Sequence, residues 1–260
     1  MCALFKSKKT APLPRETMQA PELREAQLAA ASYGPPTGGD FYDFVRVSPT
    51  RVLFGLLDVA GRFQDNHSIV AAAQNTFRSR GAELFAQEDI NETDAMIEIS
   101  GDLNRTILNA AGRVCSSPAF AGCYNESLGT VCYFNAGHTP GLMGDDGGVT
   151  ELGATGLPLG LFSHITPDAS IVALQPGAAL LVVSRGMVEA RRKSKSSKSE
   201  EFGLNRVKDY LQGVHSQAAQ KISATILDKV QEFMGKSPMN NDVTALALAR
   251  ASTRKAFAAS

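Results

Sequence analysis

The chain has 260 residues, 43% of them hydrophobic and 20% charged, which suffices for one large domain with a full core or for two small ones. Its 26 Lys and Arg residues balance 26 Asp and Glu residues, so nothing in the overall charge argues for nucleic acid or an anionic membrane as a partner. The longest apolar run is far shorter than the ~20 residues that span a bilayer. Cys2, Cys115, Cys123 and Cys132 form no CxxC pair and follow no secretory segment, which reads as reduced thiols in a cytoplasmic protein.

Residues 1–21 carry Lys6, Lys8, Lys9 and three prolines without periodicity and read as a flexible, solvated tail. From Pro21 to Ala31 a short amphipathic segment leads into the breaker cluster Tyr33-Gly34-Pro35-Pro36. Next, Asp40-Phe41-Tyr42-Asp43-Phe44-Val45-Arg46-Val47 alternates as a strand does. Ser48-Pro49-Thr50 then turns it back into Arg51 to Asp58. This hairpin brings Asp40 or Asp43 near Asp58 across the ladder. Two acids so placed repel each other unless a cation intervenes, although each alone would read as a turn cap.

Asp65 or Asn66 is placed to cap a helix whose apolar face is Ile69, Ala73, Phe77 and Leu84. Asn91 with Asp94 resembles a capping box for a second helix, with Met96, Leu103 and Ile107 inward. Residues 117–124 and 129–135 read as an antiparallel pair that ends in the turn-rich loop around His138, which reads as a satisfied structural histidine. Residues 170–174 read as a strand, and so does the apolar run Ala178 to Val183 after Pro176-Gly177. The chain leaves that run at Ser184-Arg185-Gly186, a strand exit carrying a cation. Arg191 to Lys198 is basic and serine-rich and reads as a solvated loop. Helices are expected at about 203–213 and 217–234. Asp242 to Ala249, apolar on both faces, reads as a central strand, and the chain after Arg250 reads as a loose tail. Strands in hairpins with helices in consecutive pairs argue for antiparallel sheets covered by helices, an α+β fold, and against a parallel sheet.

The ordered motifs are Gly38-Gly39-Asp40-Phe41-Tyr42-Asp43, Asp58-Val59-Ala60-Gly61, Asn135-Ala136-Gly137-His138-Thr139-Pro140 and Leu157-Pro158-Leu159-Gly160. Leu174-Gln175-Pro176-Gly177, Gly186-Met187-Val188-Glu189-Ala190, Phe202-Gly203-Leu204 and Asp242-Val243-Thr244 follow. Together they resemble the PPM-type metal-dependent serine/threonine phosphatases. The likeness is strongest to the bacterial SpoIIE-like branch, which controls sigma-factor partner switching. The resemblance implies one domain over residues 22–250, folded as two antiparallel sheets between helical layers, with a C-terminal tail over 251–260. It also implies a centre of two Mn or Mg ions held by carboxylates, which activate a water for attack on a phosphoester. By match, Asp40 and Asp58 are ligands, with the carbonyl of Val59. The implied partner is a phosphoprotein or regulatory protein of the anti-sigma-antagonist type.

Three positions depart from that pattern. Arg185 stands where the family has an aspartate, Asn241 stands where it has another, and Gly61-Arg62-Phe63 replaces Gly-His-Gly. The first two changes add three units of positive charge to one metal position, more than one divalent ion carries. A guanidinium there is expected to bridge Asp58, and Asp40 beside it, in bidentate fashion. Coordination is expected to be weak or limited to one ion, with Asp43 or Asp242 as the acids able to rescue it. The expected centre is Asp40, Asp58, Arg185, Asn241 and Asp242, in a pseudophosphatase that binds a phosphoprotein. The alternative is a weak Mn- or Mg-dependent phosphoserine/phosphothreonine phosphatase.

Overall fold

The computed structural model describes residues 20–34, 39–59, 63–193, 199–239 and 241–252, leaving aside the side chains of residues 63–65 and 193. Most of the expected N-terminal tail and residues 253–260 lie outside these ranges. The described strands form two five-stranded sheets and one small hairpin, antiparallel throughout. In the first sheet, β1 (Ala26–Tyr33) pairs with β12 (Val243–Arg250), which pairs with β9 (Ala179–Val183). Beyond β9 come β6 (Gly141–Asp145) and β7 (Gly148–Leu152). The second sheet runs β2 (Asp40–Ser48), β3 (Arg51–Asp58), β4 (Ala119–Asn125), β5 (Thr130–Ala136) and β8 (Ser170–Ala173).

Two-residue periodicity explains the layering. In β12, Leu246 and Leu248 face the other sheet; with Val182 of the neighbouring β9 they meet Phe54 and Phe120 in a core between the sheets. Ala245, Ala247 and Ala249 face outward into a second core, built with α4 (Leu204–Val214) and α5 (Ala219–Met234). Small side chains on that face let α5 lie close to the strand. On the other side, Leu53, Leu57, Cys123 and Phe134 pack under α1 (Phe63–Leu84) and α2 (Glu92–Ala111). The result is helices, sheet, sheet, helices: the sandwich expected from the hairpin order. Each fully buried leucine or phenylalanine in these layers contributes about 1.5–3 kcal/mol.

Four local expectations need correction. The amphipathic stretch before Tyr33 is strand β1, buried at alternate positions. Its partner β12 supplies the hydrogen bonds that fix it. Helix α1 starts at Phe63, so Asn66 lies inside it rather than at its cap, and its side chain donates to the Val59 carbonyl at 3.4 Å. Arg191–Lys193 is strand β10, paired with β11 (Ser199–Glu201); the rest of the expected basic loop, residues 194–198, lies outside the described residues. Asp43 sits opposite Gly55, not Asp58. Asn91 does cap α2, accepting from the N–H groups of Thr93 and Asp94.

Candidate active site

The strand ends at one edge of the inter-sheet layer bring the expected acids together. Asp40 and Asp58 are directly opposite in the β2–β3 ladder, and β12 delivers Asp242 across the gap between the sheets. The backbone N–H of Asp40 donates to Asp242 Oδ2 at 3.1 Å. Two residues on, Thr244 shares the inward face with Asp242, and its hydroxyl donates to Asp40 Oδ2 at 2.8 Å. Ser184, at the exit of β9, closes the network. Its Oγ accepts from the Thr244 N–H at 3.0 Å and donates to the Asp242 carbonyl at 3.3 Å. Thr244 and Ser184 were not foreseen as site residues. The signal for Thr244 was the strand period, which puts residues 242 and 244 on one face.

Burial pushes the Asp40 carboxyl up to about 8; the charges of Asp58 and Asp242 push the same way, against the hydroxyls of Thr244 and Ser184. Asp58 is raised too, first by burial and then by Asp242 and Glu189, while Arg185 opposes the rise. Among the described residues, carboxylates so close with so little compensation make a place short of positive charge.

Arg185 is not where the charge count put it. It opens the four-residue α3 (Arg185–Val188), and its Nε donates to Glu189 Oε1 at 2.7 Å, with 67% of its side chain exposed. It acts on Asp58 only through space. A partner four residues along the chain, reached in water, wins over bridging a half-buried acid. Asn241 is exposed and lines a cavity of about 260 Å³ together with Gly186, Glu189 and Arg191. Asp43 points to the opposite face of its sheet. There it takes two bonds from Arg78, at 2.6 and 2.8 Å, and one from Gln74, which leaves no route for it to the Asp40–Asp58 pair. His138 is buried beneath the β9 exit with Nδ1 on the Thr139 carbonyl and hydroxyl. Burial lowers its pKa to about 4. Nε2 has no partner among the described residues, so the structural reading holds for one ring nitrogen.

Two antiparallel sheets between helix pairs, with acids gathered at the strand ends, define the PPM phosphatase fold. Residues 48–251 match the family Stage II sporulation protein E (SpoIIE), and the chain belongs to that family. No curated protein matches it. Solved structures share the fold. The SiaA-PP2C domain of Pseudomonas aeruginosa is 17% identical with a TM-score of 0.69, over 86% of this chain and 85% of that one. The RsbU and RsbW domains of Rv1364c from Mycobacterium tuberculosis are 20% identical with a TM-score of 0.71. There the match covers 90% of this chain but 62% of the other, less than two thirds of its length. The catalytic domain of the phosphatase PstP, described in complex with two manganese ions, is 13% identical with a TM-score of 0.62, over 88% and 99% of the two chains. No described helix is long and apolar enough to cross a membrane.

Proposed function

We propose that this SpoIIE-like domain is a pseudophosphatase, a regulatory module that binds a phosphorylated protein without turning it over. The observation that carries this reading is Arg185. By the family match, Arg185 and Asn241 stand in the chain where two acids are expected; Glu189 holds the guanidinium, which acts on Asp58 through space, and Asn241 lies against the neighbouring Gly186. Glu189 takes the Nε edge, and the exposed Nη edge suits a phosphoryl oxygen of a partner. The partner class is a regulatory phosphoprotein of the anti-sigma-antagonist type, in cytoplasmic bacterial partner switching. By the family match, one hard cation, Mn or Mg, would be held by Asp40, Asp58 and the Val59 carbonyl; among the described residues no three acids, histidines or cysteines group as a metal site. Such an ion supplies a Lewis acid for a phosphoester and a more acidic bound water. A second ion lacks its acids at Arg185 and Asn241. Asp242 serves the fold through the Asp40 N–H, and Asp40 is held in place by Thr244.

A second reading, a weak phosphatase with one ion, is favoured by the raised carboxyls of Asp40 and Asp58, which a cation would relieve. Hydrolysis of p-nitrophenyl phosphate with and without excess Mn separates the two. The expected result is little or no Mn-dependent turnover. Turnover near that of an ordinary PPM phosphatase, abolished by chelation, would overturn the pseudophosphatase.

A further inference from the structure

Gly34, at the end of β1, lies directly over the Asp242 carboxylate. A Cβ at position 34 would come within 1.9 Å of Asp242 Oδ1, 2.9 Å of its Cγ and 3.1 Å of its Cα. Gly34 does not have the positive φ of the left-handed glycines, so its requirement is for space and not for backbone freedom. Asp242 is 4% exposed, so its carboxylate cannot turn away into solvent. The oxygen beside the one facing Gly34 accepts the Asp40 N–H. Gly186 presses from another side, where a Cβ would come within 2.0 Å of the Asp242 carbonyl oxygen.

We infer that Gly34 and Asp242 act together as positioning residues for Asp40: the bare glycine is the seat that lets Asp242 reach across the sandwich and fix the Asp40 backbone. This rests on the acid cluster being the functional centre. It gives Asp242 a task other than the rescue of metal coordination. It also makes Asp40 the product of contacts from both sheets. Asp242 holds its N–H and Thr244 holds one carboxylate oxygen, so its placement depends on the two sheets staying in register. In β2 the N–H bonded to Asp242 lies at the first residue of the strand, where ladder bonds protect it least.

The test is amide hydrogen exchange at residue 40, followed by NMR in chelator, so that neither metal nor substrate enters. Gly34→Ala and Asp242→Ala should each speed exchange there by about tenfold or more, the effect of losing one hydrogen bond to a charged acceptor. Leu53 and Phe54, deep in β3, should keep wild-type protection. Asp242→Asn, which retains an acceptor oxygen, should restore most of the protection. Because both changes remove one bond, the double variant Gly34→Ala with Asp242→Ala should exchange no faster than Asp242→Ala alone. Gly153→Ala, which meets open space, is the control for losing a glycine. The inference is overturned by a wild-type Asp40 amide that exchanges at the free-chain rate. Full protection in Gly34→Ala, or additive effects in the double variant, would overturn it as well. Failure of the phosphoprotein-binding reading would leave every one of these outcomes as it stands.

Discussion

Asp40 and His138 carry opposite pH signatures, and the difference can be measured. The folded Asp40 carboxyl holds its proton up to about 8, whereas its ordinary value is 3.8, so between those limits the folded state binds the extra proton. Stability therefore falls as pH rises through that window. His138 is the reverse. Its folded value is about 4 against 6.5, the unfolded chain binds the extra proton, and stability is lost as pH falls through that range. Below pH 6.5 the two oppose each other; from 6.5 to 8 Asp40 acts without His138. Urea unfolding in chelator should show stability dropping over that upper window by up to about 1.4 kcal/mol per pH unit, and Asp40→Asn should flatten it. A wild type as stable at pH 8 as at 6.5 would mean Asp40 is ionised in the fold. Arg185 gives a second test at this scale. Its pair with Glu189 is solvent-exposed, so Arg185→Ala should cost less than about 1 kcal/mol in unfolding free energy. A loss of several kcal/mol would restore the bridge to Asp58 expected from the charge count.

The elements are held by a few buried polar contacts whose energetics differ from those of the site. Arg51, at the start of β3, pairs with Glu92, the first residue of α2, at 2.6 Å, with both side chains only 8% exposed. Asn125 donates to the same carboxylate oxygen at 2.7 Å, and the Arg51 guanidinium also binds the carbonyls of Gln87 and Glu88. Arg51→Ala should lower stability by about 3–5 kcal/mol, since it strands a buried carboxylate. Chemical denaturation reads this directly, and a loss below 1 kcal/mol would show that water reaches Glu92. Sequence made some elements plain and hid others. Strand β2 was legible from its alternation, β3 from the turn that folds an apolar run back on it, and β12 from being apolar on both faces, and the Asp40–Asp58 pairing followed from the hairpin. Strand β1 was hidden because its alanine-rich run lacks the side chains that mark a strand. Strand β10 is three charged residues. It exists because Arg191 and Arg192 meet Glu201 and Glu200 across the hairpin, and because Arg192 and Arg206 both cover the Phe233 ring. Those partners are remote or local in ways composition does not register. The role of Asp242 depended on Gly34, 208 positions away, and so could be seen only in three dimensions.

At the scale of the whole molecule, the acid cluster sits where both sheets end, so its charge balance acts on the joint between them. Asp40 and Asp58 come from one sheet, Asp242 from the entry to β12 of the other, and Arg185 and Glu189 from the short helix after β9 and its C-cap. In the wild type Arg185 is the described cation that moderates the repulsion, felt at Asp58. The double variant Arg185→Asp with Asn241→Asp removes that cation and adds two acids beside the others. Without metal it should melt well below the wild type, because like charges then push the two sheets apart at that edge. With Mn it should recover, because an ion bound only by the folded state stabilises it by about 2.7 kcal/mol at a hundredfold excess over its Kd. The wild type should gain far less, since its guanidinium already spends part of the field a second ion would need. Melting temperatures of both proteins across a Mn titration, with Ca as a charge control, decide the matter. A double variant that stays destabilised in Mn would show that position 185 no longer leads to an ion site. A wild type that gains as much from Mn as the double variant would show that Arg185 does not stand in for a metal, and the pseudophosphatase would lose its physical basis.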